Sequence, residues 1–314
     1  MVAVRSNPTG VAEHDFERAL AEGRGTDAAH LAVQLARGRV RGVHASVARL
    51  KRTRETAGLG WEARIALERE LAMLHARAGR FDLAFETMTL GLSLAQEADE
   101  VEQVCEAEIR GAFFAVQVRE LGAAHDLLDN AEEHAFALPD PSRLGATRAV
   151  RGIALLAEDE ADAAVELLGC GLRGLVEADG VERAFFLRQY ARALLRADRP
   201  AAEAVEPLLW ALHSARRRDD HPQLADGLET FAALRLDAHP AARALGAAAT
   251  LRVRAACVRW ADEEDEATAP RDWVGEACGA RAEELVEQGG RDPDAAVQAT
   301  VARLRAQRET NRTR

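Results

Sequence analysis

The chain has 314 residues, a net charge of −11 and 48% apolar residues, which is enough to bury an extended hydrophobic core. An acidic chain of this kind is not expected to bind nucleic acid over its whole surface. Only 4% of the residues are aromatic, while alanine, leucine, arginine and glutamate are abundant, so the composition favours helices over strands.

The charge and the cysteines are unevenly placed along the chain. The first 60 residues carry a net charge of +4, and the remainder carries −15. The N-terminal residues lack the apolar stretch of a signal peptide, and no run of 18 uncharged apolar residues could span a bilayer. Cys105, Cys170, Cys257 and Cys278 lie far apart without a CxxC motif, which is typical of reduced thiols. We therefore expect a cytoplasmic protein without a membrane partner.

The predicted helices follow a period of 40 residues. Residues 1–27 are predicted to form a loose tail and a short helix near 15–22. Helices near 28–37 and 43–54, broken around Gly38, form a degenerate first repeat. Five regular repeats follow at about 62–99, 102–139, 143–179, 182–219 and 223–260, separated by polar linkers that end helices.

One small residue marks the same point of every regular repeat. Ala84, Ala124, Ala164, Ala204 and Ala244 each precede the second apolar stripe of a helical hairpin. A small side chain at this crossing lets the paired helices approach closely, and each hairpin must stack on its neighbours to bury both apolar faces. The sequence therefore predicts an all-α, right-handed α-α superhelix of about six helical hairpins over residues 28–260.

The period ends after Trp260. The acidic run DEEDEATAP (262–270) is interpreted as a solvated linker, because it lacks the glycine turn that arranges calcium ligands. Helices near 271–287 and 294–308 are predicted to form a C-terminal cap over residues 261–314, with a frayed end. Such an atypical last unit is expected of a repeat array that needs one polar outer face.

The second unit resembles the tetratricopeptide repeat (TPR) family. It supplies the small, apolar and glycine positions of that pattern at Leu71, Ala72, His75, Gly79, Phe81, Ala84, Met88 and Gly91. Later units keep the alanine but replace Gly79 by Arg119, Asp159, Arg199 and His239. The resemblance implies a helical solenoid that binds a protein or a peptide.

The longer period and the C-terminal stretch resemble the helical-repeat regions of large bacterial transcriptional regulators of the LuxR and streptomycete-activator types. The matching segments are 239–252, Trp273 and 281–304. The sequence contains neither a P-loop motif nor a recognition helix for DNA. The resemblance thus implies a sensory or scaffolding arm in transcriptional or stress signalling, without the output domain.

The TPR resemblance also implies a site, because the first helix of each TPR pair lines an inner groove. Arginine side chains there would bind carboxylates, and phenylalanine side chains would supply buried area. An extended or helical peptide with a negative segment is the expected ligand, and the far end of the groove, with Asp226, Glu229 and Asp237, would be acidic. The expected groove residues are Arg37, Arg69, Met73, Arg77, Phe113, Gln117, Ile153, Leu156, Phe186, Gln189 and Arg196.

A second possible site is the basic stretch 36–54, which holds seven basic residues and no acid. Several arginines on one helix can neutralise phosphates, so this stretch is an alternative route to DNA or RNA. It can equally form a solvated outer face or a docking surface for a second copy of the chain. The candidate contacts are Arg39, Arg41, Arg49, Lys51, Arg52 and Arg54.

Enzyme chemistry has little support in the sequence. The nine histidines are dispersed, and no zinc-protease, nucleophile-elbow or dinucleotide motif occurs. His75 occupies a helix-crossing position and is expected to pack in the core. We therefore expect a non-catalytic scaffold or sensor, with no cofactor and no metal.

Overall fold

The structure, a computed structural model, describes residues 8–37, 43–56, 58–175 and 180–313. All regular secondary structure within these ranges is helical, and the predicted all-α superhelix is confirmed. The helices are α1 (Pro8–Ala21), α2 (Gly25–Arg37), α3 (Val43–Arg54), α4 (Trp61–Arg77), α5 (Phe81–Glu97), α6 (Val101–Gln117), α7 (Leu121–Ala137), α8 (Pro141–Ala157), α9 (Ala161–Gly174), α10 (Gly180–Arg196), α11 (Ala201–Arg217), α12 (His221–Ala233), α13 (Ala238–Ala255), α14 (Thr268–Cys278), α15 (Ala282–Arg291) and α16 (Pro293–Arg312).

The five regular repeats are the hairpins α4/α5, α6/α7, α8/α9, α10/α11 and α12/α13. Their first helices begin at Trp61, Val101, Pro141, Gly180 and His221, so the 40-residue period of the sequence is the spacing of the hairpins, within one residue. Each hairpin packs on the next one along the chain. Stacking of this kind buries the apolar faces that a single hairpin would leave in water.

The alanine of each repeat lies where the two helices of a hairpin meet. Ala84, Ala124, Ala164, Ala204 and Ala244 are all fully buried. A larger side chain at such a fully buried position would have to displace its neighbours, because interiors are packed at the density of organic crystals. This explains why the alanine persists while other positions of the pattern vary.

The first helix of each hairpin is the inner one. Thirteen of the 17 residues of α6 are buried, against four of the 17 in α7, and α8 is likewise more buried than α9. A helix covered on nearly all sides lies inside the superhelix, whereas a helix with one buried stripe faces solvent. The first helices therefore form the concave face, as the TPR resemblance implies.

The turn inside each hairpin needs one residue in the left-handed region. Gly79 takes this conformation with φ of 76°, and Arg119 and Asp159 take it with φ of 63° and 65°. In the last two hairpins the left-handed residues are Asp198 rather than Arg199, with φ of 52°, and Arg235 rather than His239, with φ of 51°. A left-handed residue after a helix end closes the backbone hydrogen bonds of the last turn, so the turn geometry is kept where the glycine is lost.

The two ends of the array are closed differently. Helices α1 to α3 share a core with α4, in which Phe16, Leu50 and Leu71 are almost fully buried. At the other end α15 lies directly on α13, and glycine allows their backbones to touch. A Cβ atom on Gly246 would stand 1.8 Å from the carbonyl oxygen of Val286, and one on Gly289 would stand 1.9 Å from that of Arg243.

Among the described residues, no helix has the length and apolarity needed to cross a membrane.

Candidate ligand-binding groove

The concave face is covered by the chain's own residues 257–267, CVRWADEEDEA, which we call the acidic segment. It leaves α13 after Ala256, runs without regular structure as far as Trp260, and then forms a 3-10 helix, Ala261–Ala267, that lies against α10. Asp262 and Glu263 are only 7% and 6% exposed. The interpretation of this run as a solvated linker was therefore wrong for Asp262, Glu263 and Glu266, whose carboxylates pair with distant arginines. The side chains of Glu264 and Asp265 are exposed, as expected.

The segment is anchored first at the C-terminal end of α4. The Val258 N–H donates a 2.9 Å hydrogen bond to the Arg77 carbonyl oxygen. The side chain of Val258 lies beside Gly79, where an added Cβ atom would come within 3.3 Å of both valine methyl groups. The turn glycine of the first regular repeat thus leaves room for the start of the acidic segment.

A half-buried indole ring, that of Trp260, joins three repeats at the centre of the groove. Its ring centroid lies 5.0 Å from that of Phe113 on α6, 6.3 Å from that of Phe185 on α10, and 6.4 Å from that of Phe81 at the start of α5. The Phe113 and Phe185 rings meet the indole edge to face, the favoured geometry for aromatic pairs. Phe186 stands behind this cluster, with its ring centroid 5.3 Å from that of Phe185.

Gln117, at the end of α6, forms hydrogen bonds with both the backbone and a side chain of the segment. Its amide oxygen accepts a 2.8 Å hydrogen bond from the Ala261 N–H, and its amide nitrogen donates a 2.8 Å hydrogen bond to Asp262 Oδ1. Gln117 is 3% exposed. A buried amide satisfied on both ends fixes the register of the segment, since a shift by one residue would leave these groups unpaired.

Glu263 enters the most enclosed part of the groove. Its two carboxylate oxygens accept hydrogen bonds of 2.6 and 2.8 Å from the Arg188 guanidinium, and Gln189 Nε2 donates a third of 3.0 Å. Burial would raise the pKa of Glu263, but the charges of Arg188 and Arg192 outweigh it and lower the pKa to about 2. The carboxylate is therefore ionised and bound in the bidentate manner that arginine favours.

Arg192 and Arg196, on successive turns of α10, bind the carboxylates of Asp262 and Glu266. Arg192 donates to Asp262 Oδ2 at 2.5 Å, to the Asp262 carbonyl oxygen at 2.6 Å and to the Glu266 carboxylate at 2.8 Å. Arg196 donates to Glu266 at 2.6 Å and also pairs with Asp159. Arginines four residues apart lie on one face of a helix, so α10 presents a row of guanidinium groups to the acidic segment.

A second group of charges lies at the far end of the groove. Asp226 and Glu229 on α12 both bind Arg252 of α13, at 2.7 and 2.6 Å, and Glu229 also binds Arg259 of the acidic segment at 2.7 Å. Burial raises the pKa of Asp226 to about 6, although Arg188 and Arg252 act in the opposite direction. The far end is acidic but already paired with arginines.

A cavity of about 450 Å³ remains beside the segment. It lies between α10, α12 and the last residues of the segment, with Arg192, Arg196, Glu229 and Glu266 among the residues around it. The exposed side chains of Arg235 and Arg271 also line it. This volume would admit several side chains beyond those that the acidic segment places in the groove.

The predicted groove residues fall into two sets. Phe113, Gln117, Gln189 and Arg196 contact the acidic segment through their side chains, and Arg77 through its carbonyl oxygen. The apolar residues of the other set lie in or against the core: Phe186 is one ring behind the aromatic cluster, Met73 is partly buried, and Ile153 and Leu156 are fully buried. Among the charged residues, Arg69 pairs with Glu106 at 3.0 Å and Asp237 caps α13. The side chain of Arg37 is outside the described residues.

Sequence reasoning missed Phe185, Arg188 and Arg192 on α10, as well as Trp260. The three arginines 188, 192 and 196 recur at intervals of four, and the acidic run after Trp260 has carboxylates at intervals that can meet them. The match between these arginines and these carboxylates is the one signal in the sequence that could have identified the contact. The two groups are separated by more than 65 residues, so no local pattern indicates that they meet.

Three arginines of the basic stretch are paired with acids of α1 and α4. Arg49 binds Glu13 at 3.3 Å, Arg52 binds Glu17, and Arg54 binds Glu68 at 3.5 Å. Lys51 is half-buried, and Arg39 and Arg41 lie outside the described residues. Pairing with carboxylates reduces the positive potential that would attract phosphates.

Two buried titratable groups lie away from the groove. His75 is 2% exposed, and burial followed by the charge of Arg80 lowers its pKa to about 4, so the ring is neutral. Burial raises the pKa of the Cys105 thiol to about 11, which makes the thiol unreactive near neutral pH. Within the described ranges, no group of three metal-ligating side chains comes together.

Comparison with known proteins supports the fold. No protein-family model matches the chain, and no curated protein matches it. The solved structures to which it is similar include BtubC (BKLC) from P. vanneervenii, with a TM-score of 0.51 and 17% identity over 70% of this chain and 93% of that one. They also include the Rap conjugation gene regulator of the plasmid pLS20 in complex with the Phr* peptide, with a TM-score of 0.59 and 11% identity over 95% of this chain and 79% of that one. At these identities the likeness establishes a shared helical-repeat fold.

Proposed function

We propose that this protein is a non-catalytic regulator that binds an acidic peptide or protein segment in the concave groove of its helical repeats. One observation carries the proposal: Gln117, Arg188 and Arg192 bind carboxylates and backbone groups of the acidic segment, whose residues 261–267 form a 3-10 helix in that groove. A surface that binds one such sequence with buried, bidentate contacts is suited to bind another of the same chemistry.

The structural comparison gives the proposal further support. The Rap regulator, which matches 95% of this chain, was solved with a peptide bound to it. The C-terminal resemblance to bacterial transcriptional regulators favours a role in transcriptional or stress signalling. A helical array transmits binding through small changes of pitch, because each repeat contacts only its neighbours.

The proposal is tested by site-specific photo-crosslinking in the native cell. A photoreactive residue replaces Arg196, which lines both the groove and the cavity, and in a second variant it replaces Trp210, which is 54% exposed on the outer helix α11. We expect one partner to be captured in high yield from the groove position and not from the outer position. Capture from Trp210 alone would move the site off the concave face.

A further inference from the structure

The acidic segment is held by contacts of the kind that a peptide ligand would make. It contributes an aromatic anchor, three backbone hydrogen bonds and three carboxylates, and its contacts include groups on α4, α6, α10 and α12 of four different repeats. No residue of the segment belongs to a repeat helix. The repeats can therefore stay stacked when the segment is absent from the groove.

We infer that the acidic segment is an intramolecular ligand, and that the partner displaces it with a sequence of the same pattern. In this pattern an aromatic residue is followed by carboxylates at the second, third and sixth positions, as Trp260 is followed by Asp262, Glu263 and Glu266. This inference rests on the proposed function and specifies the chemistry of the ligand at the same groove.

Buried arginines explain why only an acidic sequence can take the place of the segment. Arg188 and Arg192 are 2% and 3% exposed, and their guanidinium groups bind Glu263, Asp262 and Glu266. A buried charge that loses its partner is strongly destabilising. An uncharged peptide would leave Arg192 without a carboxylate partner and Arg188 with only the weak contact to Asp226 at 3.9 Å, whereas an acidic peptide restores their contacts as the segment leaves.

Because the segment is covalently tethered, a free peptide needs a higher concentration to bind in the groove. A segment joined to the array by a few residues competes at an effective concentration in the millimolar range, as is typical of short linkers. A free peptide then binds with an affinity reduced by the fraction of molecules whose groove is open. Weakening the segment in cis should therefore strengthen binding of the same sequence in trans.

Direct peptide binding tests this inference. The probe is a fluorescein-labelled peptide of residues 258–267, VRWADEEDEA, and the readout is fluorescence anisotropy. The protein variant Trp260→Ala/Glu263→Gln weakens the tethered segment and leaves α6 and α10 unchanged. We expect this variant to bind the peptide at least about tenfold more tightly than the wild-type chain does.

Two peptides provide the matched comparison of acidic positions. Glu263 is buried against Arg188, whereas the Asp265 side chain is 91% exposed and lies 3.5 Å from Arg119 at the surface. The Glu263→Gln peptide should bind the variant at least about tenfold more weakly, because Arg188 is left with only the weak contact to Asp226 at 3.9 Å. The Asp265→Asn peptide should bind as tightly as the original. Equal binding of the three peptides, or no binding to the folded variant, would overturn the inference.

If the variant does not fold, hydrogen exchange on the wild-type chain tests whether the peptide displaces the acidic segment. With the unlabelled peptide at millimolar concentration, amides of residues 258–267 in the protein should exchange faster while those of α13 stay protected. Unchanged exchange in the segment would show that it does not leave the groove. That result, together with groove crosslinks from Arg196, would leave the proposed function standing with a ligand of different sequence, whereas loss of those crosslinks would count against the function itself.

Discussion

The ion pair between Arg188 and Glu263 allows a quantitative test of how the acidic segment is held. The substitution Glu263→Gln keeps the size of the side chain and removes its charge. Three hydrogen bonds reach the carboxylate, two from Arg188 and one from Gln189. Removing one partner of a buried pair costs about 3–5 kcal/mol. Asp226, 3.9 Å from Arg188, remains as a weak partner, so we expect a loss of about 3 kcal/mol.

The assay combines a global and a local measurement. Urea unfolding followed by circular dichroism gives the free energy of unfolding, and hydrogen exchange of residues 258–267 reports opening of the segment alone. The local measurement is needed because repeat arrays need not unfold in one step. If the segment opens without the array, the loss will be seen as faster exchange in 258–267 before any change in the urea transition.

A matched control and a double variant complete the test. The Glu264 side chain is 65% exposed and binds Arg259 at 3.0 Å, so Glu264→Gln should cost no more than about 1 kcal/mol. Replacing both partners, as Arg188→Met/Glu263→Leu, should recover most of the loss, because no buried charge is left alone. A loss below about 1 kcal/mol for Glu263→Gln, with exchange of the segment unchanged, would refute the assignment of these charges.

Three further predictions concern the array itself. Gly289→Ala should destabilise the cap by about 1–3 kcal/mol or more in urea unfolding, because its Cβ would overlap the Arg243 carbonyl oxygen; Gly275→Ala, with open space around it, should be neutral or stabilising. Ala164→Leu should cost about 1–3 kcal/mol by overpacking the α8/α9 crossing, and an unchanged urea midpoint would contradict that contact. Although burial opposes it, the charges of Arg110, Arg69 and Arg143 lower the pKa of Glu106 to about 2 from 4.5. Glu106 therefore adds about 3 kcal/mol of stability above pH 4.5 that is lost as the pH falls through 2. The stability difference between the wild type and Glu106→Gln should shrink over that range, and a constant difference would contradict the ion pairs.

The fold could be predicted from the sequence because its determinants are local and repeated. A buried alanine every 40 residues, with an apolar stripe on each side, fixes where hairpins begin and how closely their helices meet. The inner position of the first helices was implied by the resemblance to the TPR family. That resemblance placed Phe113, Gln117, Gln189 and Arg196 in the groove, and each contacts the acidic segment.

The occupant of the groove could not be predicted in the same way. Residues 261–267 are acidic and lack periodicity, so local rules assign them to solvent. Their partners Gln117 and Arg188 lie 145 and 75 residues away from Asp262 and Glu263. Arg69 illustrates the opposite error, since it was expected to face a ligand but binds Glu106 of the neighbouring repeat. Pairing of charges across the fold depends on three-dimensional proximity that a single sequence does not encode locally.

On the proposed function, the buried charges of the groove would select a ligand rather than add stability. Replacing a buried ion pair by apolar side chains of similar volume is often neutral or stabilising, so Arg188 and Glu263 are not the most stable way to fill this space. The buried guanidinium groups make the free energy of binding less favourable for any occupant that lacks a matching carboxylate. A penalty of about 3 kcal/mol for one unpaired guanidinium corresponds to a preference of more than about 100-fold. With Arg188 and Arg192 both buried, that preference would apply at two positions of the same ligand, and an aromatic residue in the place of Trp260 would add apolar contact with Phe113.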